Sequence, residues 1–397
     1  MEPFSYEDLF VKPTPPIRKR TSVRRGKYDF GVAYPDPDFL PLEDLASSLK
    51  RALLEDGRGL AIYPHPQGYP PLREWLTHKL AKERDIHVNS DDIILADGSS
   101  QPIHMVTEAL VAPGDVVFTE EFVYIGTLVT LKRFHADVRG VPCDSEGMIP
   151  DSLEAAIKVS LGQGKTPKFI YTIPTFQNPL GWEMSLRRRR AIVEISQRYN
   201  VPILEDDCYV DVRYEGDPIT SLHALDSTGR VIYVASFSKT IAPGMRIGYL
   251  TAPSEVLDIV MSIKSGGGVN QFASLAVHDY AISHLDNHII NANKLLRIKR
   301  DAMVAALGEN LGTIANWTNP SGGLFVWLEM PEGTDLVEVQ EKALKADVSY
   351  LPGPLFDPHG VNGKNCARLC FGYNTPNEIN EGIARLAEVF YREGFLA

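Results

Sequence analysis

Three short polar segments in this sequence each directly follow an apolar run of the kind that forms a buried β-strand. They are PTFQNP (174–179), EDDCY (205–209) and SFSK (236–239). In open α/β sheets, ligands bind beyond the carboxyl ends of the strands. We therefore expect the three segments to meet at one edge of a sheet and to form a site there.

The segment 236–239 carries the most informative residue types. Lys239 follows two hydroxyl residues, Ser236 and Ser238, and Arg246 comes seven positions later. Hydroxyl and guanidinium groups bind phosphate, and a lysine amine beside them can form a Schiff base with an aldehyde. Asp206, at the end of another strand, has the charge to pair with a pyridinium nitrogen. The combination predicts a site for a phosphorylated aldehyde cofactor.

The elements that must position these residues show a βα alternation. Residues 186–199, with Ser185 as N-cap, have the spacing of an amphipathic helix that buries Ile192, Ile195 and Tyr199. The alternation predicts an α/β domain with a largely parallel sheet. Short apolar runs rich in β-branched residues predict its strands at 92–96, 115–118, 168–173, 201–204 and 230–235.

The sequence changes character after about residue 290. A long helical stretch is followed by a predicted strand at 323–328 and then by mixed elements. These predict a second, α+β domain. The N-terminal 30 residues, rich in proline and basic side chains, predict an extended arm that joins this second domain.

Composition narrows the class of protein. The chain has 397 residues, 44% hydrophobic and 23% charged, with a formal net charge of -11. These values exclude a disordered or collagen-like chain, and the acidic balance predicts no nucleic-acid partner. The sequence lacks an apolar run of about 18 residues and a secretion signal, so we expect a cytoplasmic protein with no membrane association. We expect its four cysteines to be reduced packing residues.

Four other motifs resemble binding sites, but the sequence around each favours a structural explanation. Gly164-Lys165-Thr166 has Val159 where a phosphate-binding loop requires glycine, and the glycines at 266–268 follow no suitable strand, which indicates a loop or helix start. His284 and His288 have no third ligand, so we expect a solvated helix face and no metal. The arginines at 187–190 likewise predict a solvated face.

Five longer motifs suggest a family. They are PTFQNPLG from Pro174, EDDCY from Glu205, SFSKTIAPGMRIGY from Ser236, GGLFVWL from Gly322 and ARLCFGY from Ala367. With these motifs in this order, the chain resembles the fold type I pyridoxal-phosphate-dependent aminotransferases of class I/II over roughly residues 30–390. PDPDFLP from Pro35 and PTFQNP are most similar to the subgroup of aminoadipate and kynurenine aminotransferases.

The resemblance implies a fold and a domain division. A large domain with a mostly parallel seven-stranded sheet flanked by helices would bind the cofactor, and a smaller domain would be α+β. Residues 1–45 would form the arm and part of the small domain, residues 46–289 the large domain and residues 290–397 the small C-terminal domain.

The resemblance also implies residue roles toward pyridoxal 5'-phosphate. Lys239 would be the Schiff-base lysine and proton carrier, and Asp206 would keep the ring nitrogen protonated. Tyr209 and Asn178 would bind the phenolic oxygen, and Tyr124 would stack on the ring. The phosphate would be bound at a helix N-terminus and by the residues after the third strand; these groups are Ser99, Ser100, Gln101, Ser236, Ser238 and Arg246.

Substrate and partner roles follow from the same resemblance. Arg368 would bind the substrate α-carboxylate as a bidentate pair, with Asn178 beside it. Arg18 or Arg20, in the arm, would meet a distal carboxylate. Tyr63 would reach the phosphate of a neighbouring subunit, which implies a homodimer with shared active sites. The implied reaction moves an amino group from an L-amino acid to a 2-oxo acid, 2-oxoglutarate above all, by a ping-pong mechanism.

Two alternatives share part of this evidence. A pyridoxal-phosphate lyase, racemase or decarboxylase would use every cofactor residue named above. A regulatory or binding module is a third hypothesis, but only about 30 residues precede the motif-bearing region, too few for a winged-helix DNA reader. The sequence departs from the subgroup at Val32 and Ala33, where two glycines are common, and at Asp97, where a small hydroxyl residue is usual. These departures leave the identity of the substrate open.

Overall fold

The computed structural model describes residues 5, 7–10 and 25–396. Arg18 and Arg20 lie outside these ranges, so their predicted role stays a prediction. The strands, in chain order, are β1 (Tyr28–Asp29), β2 (Ile93–Asp97), β3 (Val116–Glu120), β4 (Asp137–Val141), β5 (Cys143–Asp144), β6 (Gly147–Met148), β7 (Phe169–Thr172), β8 (Ile203–Asp206), β9 (Val231–Ser236), β10 (Ile247–Thr251), β11 (Asn316–Trp317), β12 (Phe325–Glu329), β13 (Val348–Ser349), β14 (Leu351–Pro352) and β15 (Cys366–Cys370).

Helices alternate with the strands of the first part of the chain and dominate the last part. They are α1 (Leu42–Asp56), α2 (Pro70–Arg84), α3 (Ser100–Leu110), α4 (Ile125–Arg133), α5 (Pro150–Gly162), α6 (Leu186–Tyr199), α7 (Leu222–Leu225), α8 (Ser254–Ile263), α9 (Gln271–Ser283), α10 (Leu285–Leu311), α11 (Leu336–Lys345) and α12 (Pro376–Arg392). Short 3-10 turns lie at Glu7–Leu9, Pro37–Phe39, Gly57–Ala61, Ser90–Asp92, Pro243–Met245 and Gly353–Leu355.

The main sheet has seven strands in the order β2-β10-β9-β8-β7-β3-β4. Its pairs are parallel except those of β10, which runs antiparallel to both β2 and β9. The strands β3, β7, β8, β9 and β10 are buried throughout, as expected for a sheet covered by helices on both faces. The predicted mostly parallel seven-stranded α/β fold is therefore confirmed.

The direction of β10 matters for the site. Because β10 is antiparallel, its first residue lies at the edge where β2 and β9 have their carboxyl ends. Gly248 pairs there with both Ser236 and Ala96. A Cβ on Gly248 would lie 2.5 Å from the Gly98 carbonyl carbon, so only glycine permits this approach. The reversed strand thus delivers Arg246, which precedes it, to the edge that carries Lys239.

A second sheet lies in the C-terminal part, with four antiparallel strands in the order β11-β12-β15-β14. The N-terminal strand β1 pairs in parallel with β13. The buried ammonium of Lys299, on α10, lies 2.7 Å from Asp36 Oδ2 and donates to the Gly372 carbonyl. The segment after β1 is therefore fixed to the C-terminal part. Helix α10 runs across the predicted boundary at residue 289, and the domain division stays a prediction.

Helix α6 has the predicted bounds, and Ser185 Oγ accepts from the Arg188 amide as its N-cap. The prediction that its arginine run is a solvated face is wrong for Arg188 and Arg189, which are buried. Arg189 is fully buried and donates to three carbonyls, of Met184, Thr220 and Pro174, and to Thr175 Oγ1. Arg188 and Arg189 lie four and three residues before Ile192, on the buried face of the helix, so helical spacing indicated a burial that the charged residue type opposed.

We expect Arg189→Ala to lower the free energy of unfolding by about 3 kcal/mol, because it removes a buried guanidinium that donates to four acceptors. Arg187→Ala is the matched control, since Arg187 lies on the same helix with its side chain 75% exposed. The control should change stability by less than about 0.5 kcal/mol. Urea titrations of both variants measure the difference. Equal midpoints would show that Arg189 is not a structural anchor.

His284 lies between α9 and α10, and His288 differs from the expected solvated position. His288 is half-buried, with its Nε2 2.9 Å from the Thr240 carbonyl and its ring against Phe39. It therefore packs beside the segment that holds Lys239 and does not lie on a solvated face. In the described ranges, no group of three or more His, Cys, Asp or Glu residues has the arrangement of a metal site. None of the described helices is long and apolar enough to cross a bilayer.

Candidate active site

Lys239 lies in the turn after β9, at the carboxyl edge of the main sheet. Its Nζ donates to the Ala33 carbonyl at 2.7 Å, which brings the segment after β1 over the end of the sheet. Burial lowers the pKa of the Lys239 amine, with the charges of Arg368 and Arg246 acting in the same direction. A lowered pKa leaves more of the amine unprotonated near neutral pH, and the unprotonated amine is the form that attacks an aldehyde or accepts a proton.

Asp206 ends β8, on the strand next to β9, and its side chain is buried. Tyr171 donates to Oδ2 at 2.7 Å, and the Cys208 thiol lies 2.8 Å from Oδ1. Burial raises the pKa of Asp206, while the hydrogen bonds from Cys208 and Tyr171 lower it. The carboxylate thus stands at the sheet edge with a donor on each oxygen.

The run Glu205-Asp206-Asp207-Cys208 divides between two faces of the sheet, because side chains alternate along a strand. Asp206 and Cys208 point to the site. On the other face, Glu205 accepts from the Leu222 and His223 amides, and Asp207 pairs with Arg84 at 2.7 Å. Two of the three acids therefore belong to the buried framework beneath the site, and one faces the site.

A chain of hydrogen bonds joins the main sheet to the second sheet. Asn178 Nδ2 donates to the Tyr209 hydroxyl at 3.1 Å, and Arg368 Nη1, on β15, donates to Asn178 Oδ1 at 3.1 Å. Arg368 Nη2 donates to the Gly31 carbonyl at 2.6 Å, and its guanidinium lies 4.6 Å from the Phe325 ring centroid. Arg368 Nε is buried without a partner among the described residues.

Tyr124 precedes α4 and lies close to the same groups. Burial raises its pKa; the charge of Asp206 raises it further, and those of Arg368 and Arg246 lower it. The Tyr124 ring folds back over the start of α4, where a Cβ on Gly126 would lie 2.5 Å from Tyr124 Cε1. The absence of a side chain at Gly126 therefore leaves the space that the Tyr124 ring occupies.

The residues predicted to bind a phosphate lie around the start of α3 and the end of β9. The first amides of α3, which begins at Ser100, have no intrahelical carbonyl and favour an anion. Ser236 Oγ accepts from the Ser238 amide at 3.1 Å and donates to Ser238 Oγ at 2.9 Å. The Gln101 side chain accepts from the Asp97 amide at 2.8 Å and lines the cavity beside Arg246.

Arg246 completes this group from the antiparallel strand β10. Its Nη2 donates to the Asp97 carbonyl at 2.8 Å, and its Nε donates to Asp97 Oδ1 at 3.1 Å. Gly98 has φ +65, and a Cβ there would lie 2.4 Å from Arg246 Nη2. Glycine at 98 leaves the space that the guanidinium fills. The carboxylate of Asp97, one of the departures from the subgroup, is thus an ion partner of the predicted phosphate arginine.

The structure brings most of the predicted site residues to one edge of the main sheet. Arg368, Asn178 and Tyr209 are joined by hydrogen bonds. Asp206 and Lys239 lie close enough for their electrostatics to involve Tyr209 and Arg368, respectively. Tyr124 and the predicted phosphate residues border them. Tyr63 does not join this group, since it is 95% exposed.

Sequence reasoning missed several groups at this edge. The carbonyls of Gly31 and Ala33 accept from Arg368 and Lys239, and backbone acceptors leave no signal in a sequence. Tyr171 lies within a predicted strand, and only its parallel pairing with β8 brings it to Asp206. Cys208, expected to be a packing residue, also contacts Asp206, and the signal was its position two residues after that acid.

The fit to pyridoxal phosphate is tested by the chemistry of these groups. The site offers a buried amine with a lowered pKa for the aldehyde, and a buried carboxylate for the ring nitrogen. It also offers helix amides, hydroxyls and a guanidinium for a phosphate, in a cradle that a Cβ at 98 would fill. The residues present fit the cofactor, and the fold and site define a fold type I pyridoxal-phosphate enzyme.

Comparisons with known proteins give the family. The model for aminotransferase class I and II matches residues 30–386. Aromatic-amino-acid aminotransferase 1 of Thermococcus litoralis is 35% identical over 362 residues, 90% of this chain and 87% of that protein. The chain therefore belongs to the class I and II aminotransferases.

Two solved structures show the same relationship. The multiple substrate aminotransferase of Thermococcus profundus matches with a TM-score of 0.92 at 30% identity, over 98% of this chain and 99% of that one. The kynurenine aminotransferase of Pyrococcus horikoshii, solved with PMP, matches with a TM-score of 0.88 at 34% identity, over 94% and 92%. The predicted subgroup and cofactor are confirmed: the protein is a pyridoxal-phosphate-dependent aminotransferase that acts on amino acids and 2-oxo acids.

Proposed function

We propose that Lys239, Asp206 and Arg368 are the central residues of this aminotransferase. The observation that carries the proposal is the hydrogen-bonded chain Arg368–Asn178–Tyr209, in which Tyr209 interacts with the charge of Asp206 and Arg368 with that of Lys239. It links a guanidinium suited to a substrate carboxylate with the groups suited to a cofactor ring. A substrate bound to Arg368 would therefore present its amino group toward Lys239.

The residues would divide the chemistry as follows. When bound, pyridoxal phosphate supplies an electron-withdrawing ring that stabilises negative charge at the substrate Cα. Asp206 would hold a proton at the ring nitrogen, and Asn178 and Tyr209 would orient the ring. The Lys239 amine would take the Cα proton as general base and deliver it to the aldehyde carbon of the cofactor. Arg368 would fix the substrate so that the Cα–H bond faces that amine.

We further propose an aromatic amino acid as the donor and 2-oxoglutarate as the acceptor. Two of the relatives are named for aromatic amino acids or kynurenine. In this chain, aromatic rings stand near the guanidinium that would bind the donor: Phe325 lies under Arg368, and Phe356 lies 5.2 Å from it. Val32 and Ala33, which replace two glycines, add apolar side chains beside Gly31. These features favour a large apolar side chain on the donor.

We propose a homodimer that shares its active sites and acts in the cytoplasm. A cavity of about 600 Å³ opens beside Arg246 and is lined by Lys264, Gly268 and Phe272. Residues Leu54, Leu60, Ile62 and Tyr63 are exposed on the neighbouring segment, which approaches Gly268 at the His65 carbonyl. A second copy of the chain would cover this apolar strip and bring its Tyr63 to the cavity. The four free cysteines are consistent with a reducing compartment.

A half-reaction without acceptor tests the proposed donor. Mixing the enzyme with phenylalanine, kynurenine, 2-aminoadipate or alanine should convert the cofactor to stable pyridoxamine 5'-phosphate, read by absorbance. We expect the aromatic donors to exceed alanine by at least about tenfold in kcat/KM, since burying a large side chain adds binding energy. Adding 2-oxoglutarate should restore the original spectrum.

The same panel of donors also tests for an acidic donor and for a decarboxylase or lyase reaction. Faster conversion by 2-aminoadipate than by the aromatic donors would contradict the proposal and favour the predicted pairing of Arg18 or Arg20 with a distal carboxylate. Alanine variants of those arginines would then lose acidic substrates selectively. Release of carbon dioxide or ammonia without a pyridoxamine product would indicate a decarboxylase or lyase.

A further inference from the structure

The thiol of Cys208 contacts the acid that the proposed mechanism requires. Its Sγ lies 2.8 Å from Asp206 Oδ1, and the Tyr171 hydroxyl lies 2.7 Å from Oδ2. Each carboxylate oxygen therefore has its own protein donor. The Cys208 side chain also lies near the Ser99 hydroxyl and the Lys239 amine, which places it inside the site.

The Cys208 thiol stays protonated and can therefore donate a hydrogen bond. Burial raises the pKa of Cys208 well above its usual value, and the negative charge of Asp206 raises it further. Cys208 therefore keeps its proton and gives it to the hydrogen bond with Oδ1. A thiolate at this distance would repel the carboxylate.

Asp206 needs such donors because burial and neighbouring acidic groups disfavour its ionised carboxylate. Burial raises its pKa most, and the neighbouring acid Asp207 raises it as well. Glu120, fully buried and itself with a pKa raised to about 7, lies close enough to interact with Asp206. The hydroxyls of Tyr124 and Tyr209 also face this region. The side-chain hydrogen bonds from Cys208 and Tyr171 offset burial most, and a bond from the Cys208 amide adds to them.

We propose that Cys208 is a positioning residue for Asp206. Together with Tyr171, its thiol fixes the orientation of the carboxylate and keeps it ionised toward the ring nitrogen of the cofactor. This inference rests on the proposed role of Asp206 and extends it to a residue that contributes through that acid alone. A hydroxyl at position 208 would preserve the function, and an apolar side chain would not.

The test uses holoenzyme carrying cofactor labelled with nitrogen-15 at the ring nitrogen. In Cys208→Ala, the nitrogen-15 chemical shift should move toward that of a neutral pyridine, and kcat should fall about tenfold, the effect of one hydrogen bond to a charged acceptor. Cys208→Ser should restore the shift and most of the turnover. Cys366→Ala, which removes a buried thiol hydrogen-bonded to Asn365 outside the site, is the matched control and should behave as wild type.

Two results would overturn the inference: a wild-type chemical shift in Cys208→Ala, or equal losses in the serine and alanine variants. If the alanine variant does not fold, Cys208→Val fills the space without a donor and carries the same expectation. Asp206→Asn distinguishes a failure of the proposed role of Asp206 from a failure of the positioning role of Cys208. An unchanged shift in Asp206→Asn would refute the proposed role of Asp206, whereas a shift there and none in Cys208→Ala would refute only the positioning role.

Discussion

Replacing Lys239 with alanine should abolish transamination and remove the visible absorbance of the lysine-linked cofactor. The amine would serve both as the covalent attachment and as the base at Cα, so its loss should lower kcat by about 10⁴-fold or more. Lys158→Ala is a suitable control, because Lys158 lies on α5 with its side chain 60% exposed and an ion pair to Glu154. Steady-state rates and absorption spectra of both variants measure the effect. An unchanged spectrum in Lys239→Ala would assign the attachment to another residue.

The same variant gives a test of the shared active site. Mixed dimers of Lys239→Ala and Tyr63→Ala subunits would contain one site with an intact Lys239 and an intact Tyr63, if Tyr63 acts in the neighbouring subunit. Activity should then reappear on mixing two impaired proteins. If Tyr63 serves its own subunit, both sites of the mixed dimer carry a defect and no activity returns. The 95% exposure of Tyr63 in the single chain agrees with the first arrangement.

Local sequence patterns predicted the strands of the main sheet, because a strand whose two faces are both buried is a continuous apolar run in the sequence. The strands at β2, β3, β7, β8 and β9 and the helix α6 lie within two residues of their predicted bounds. The direction of β10 was not predictable in this way. Its apolar residues fit either direction, and only pairing with β9 and β2 decides between them.

The side chains of the site were predictable from motifs, and their surroundings were not. Lys239, Asp206 and Arg368 have types that stand out at strand ends. Arg189 has the same residue type as the exposed Arg187, and only its tertiary contacts with loops at 174 and 220 bury it. For Cys208, only its position two residues after Asp206 hinted at a role, because a thiol acquires a function from the group it contacts.

Asp206→Asn should retain the cofactor and lose most of its turnover. The groups proposed to bind the phosphate lie around the starts of α3 and β10 and the end of β9 and do not include Asp206, so binding should persist. A neutral amide cannot hold the ring-nitrogen proton, and loss of a buried charged pair costs about 3 to 5 kcal/mol, which is about 10² to 5 × 10³-fold in kcat. Single-turnover rates with an amino donor measure this loss directly.

Asp207→Asn is the matched control, since it makes the same chemical change one residue further along the chain, just after β8. Asp207 faces away from the site and pairs with the buried Arg84 at 2.7 Å. Its amide variant should lower the free energy of unfolding by about 3 kcal/mol, because it leaves Arg84 buried without its full countercharge. Turnover per folded molecule should stay within about threefold of wild type. The two variants should therefore show opposite patterns, with Asp206→Asn stable and slow and Asp207→Asn unstable and active.

The opposite result, a slow Asp207→Asn and a fast Asp206→Asn, would assign the cofactor nitrogen to Asp207 and the structural role to Asp206. Side-chain alternation at the end of β8 would then not explain which acid faces the site.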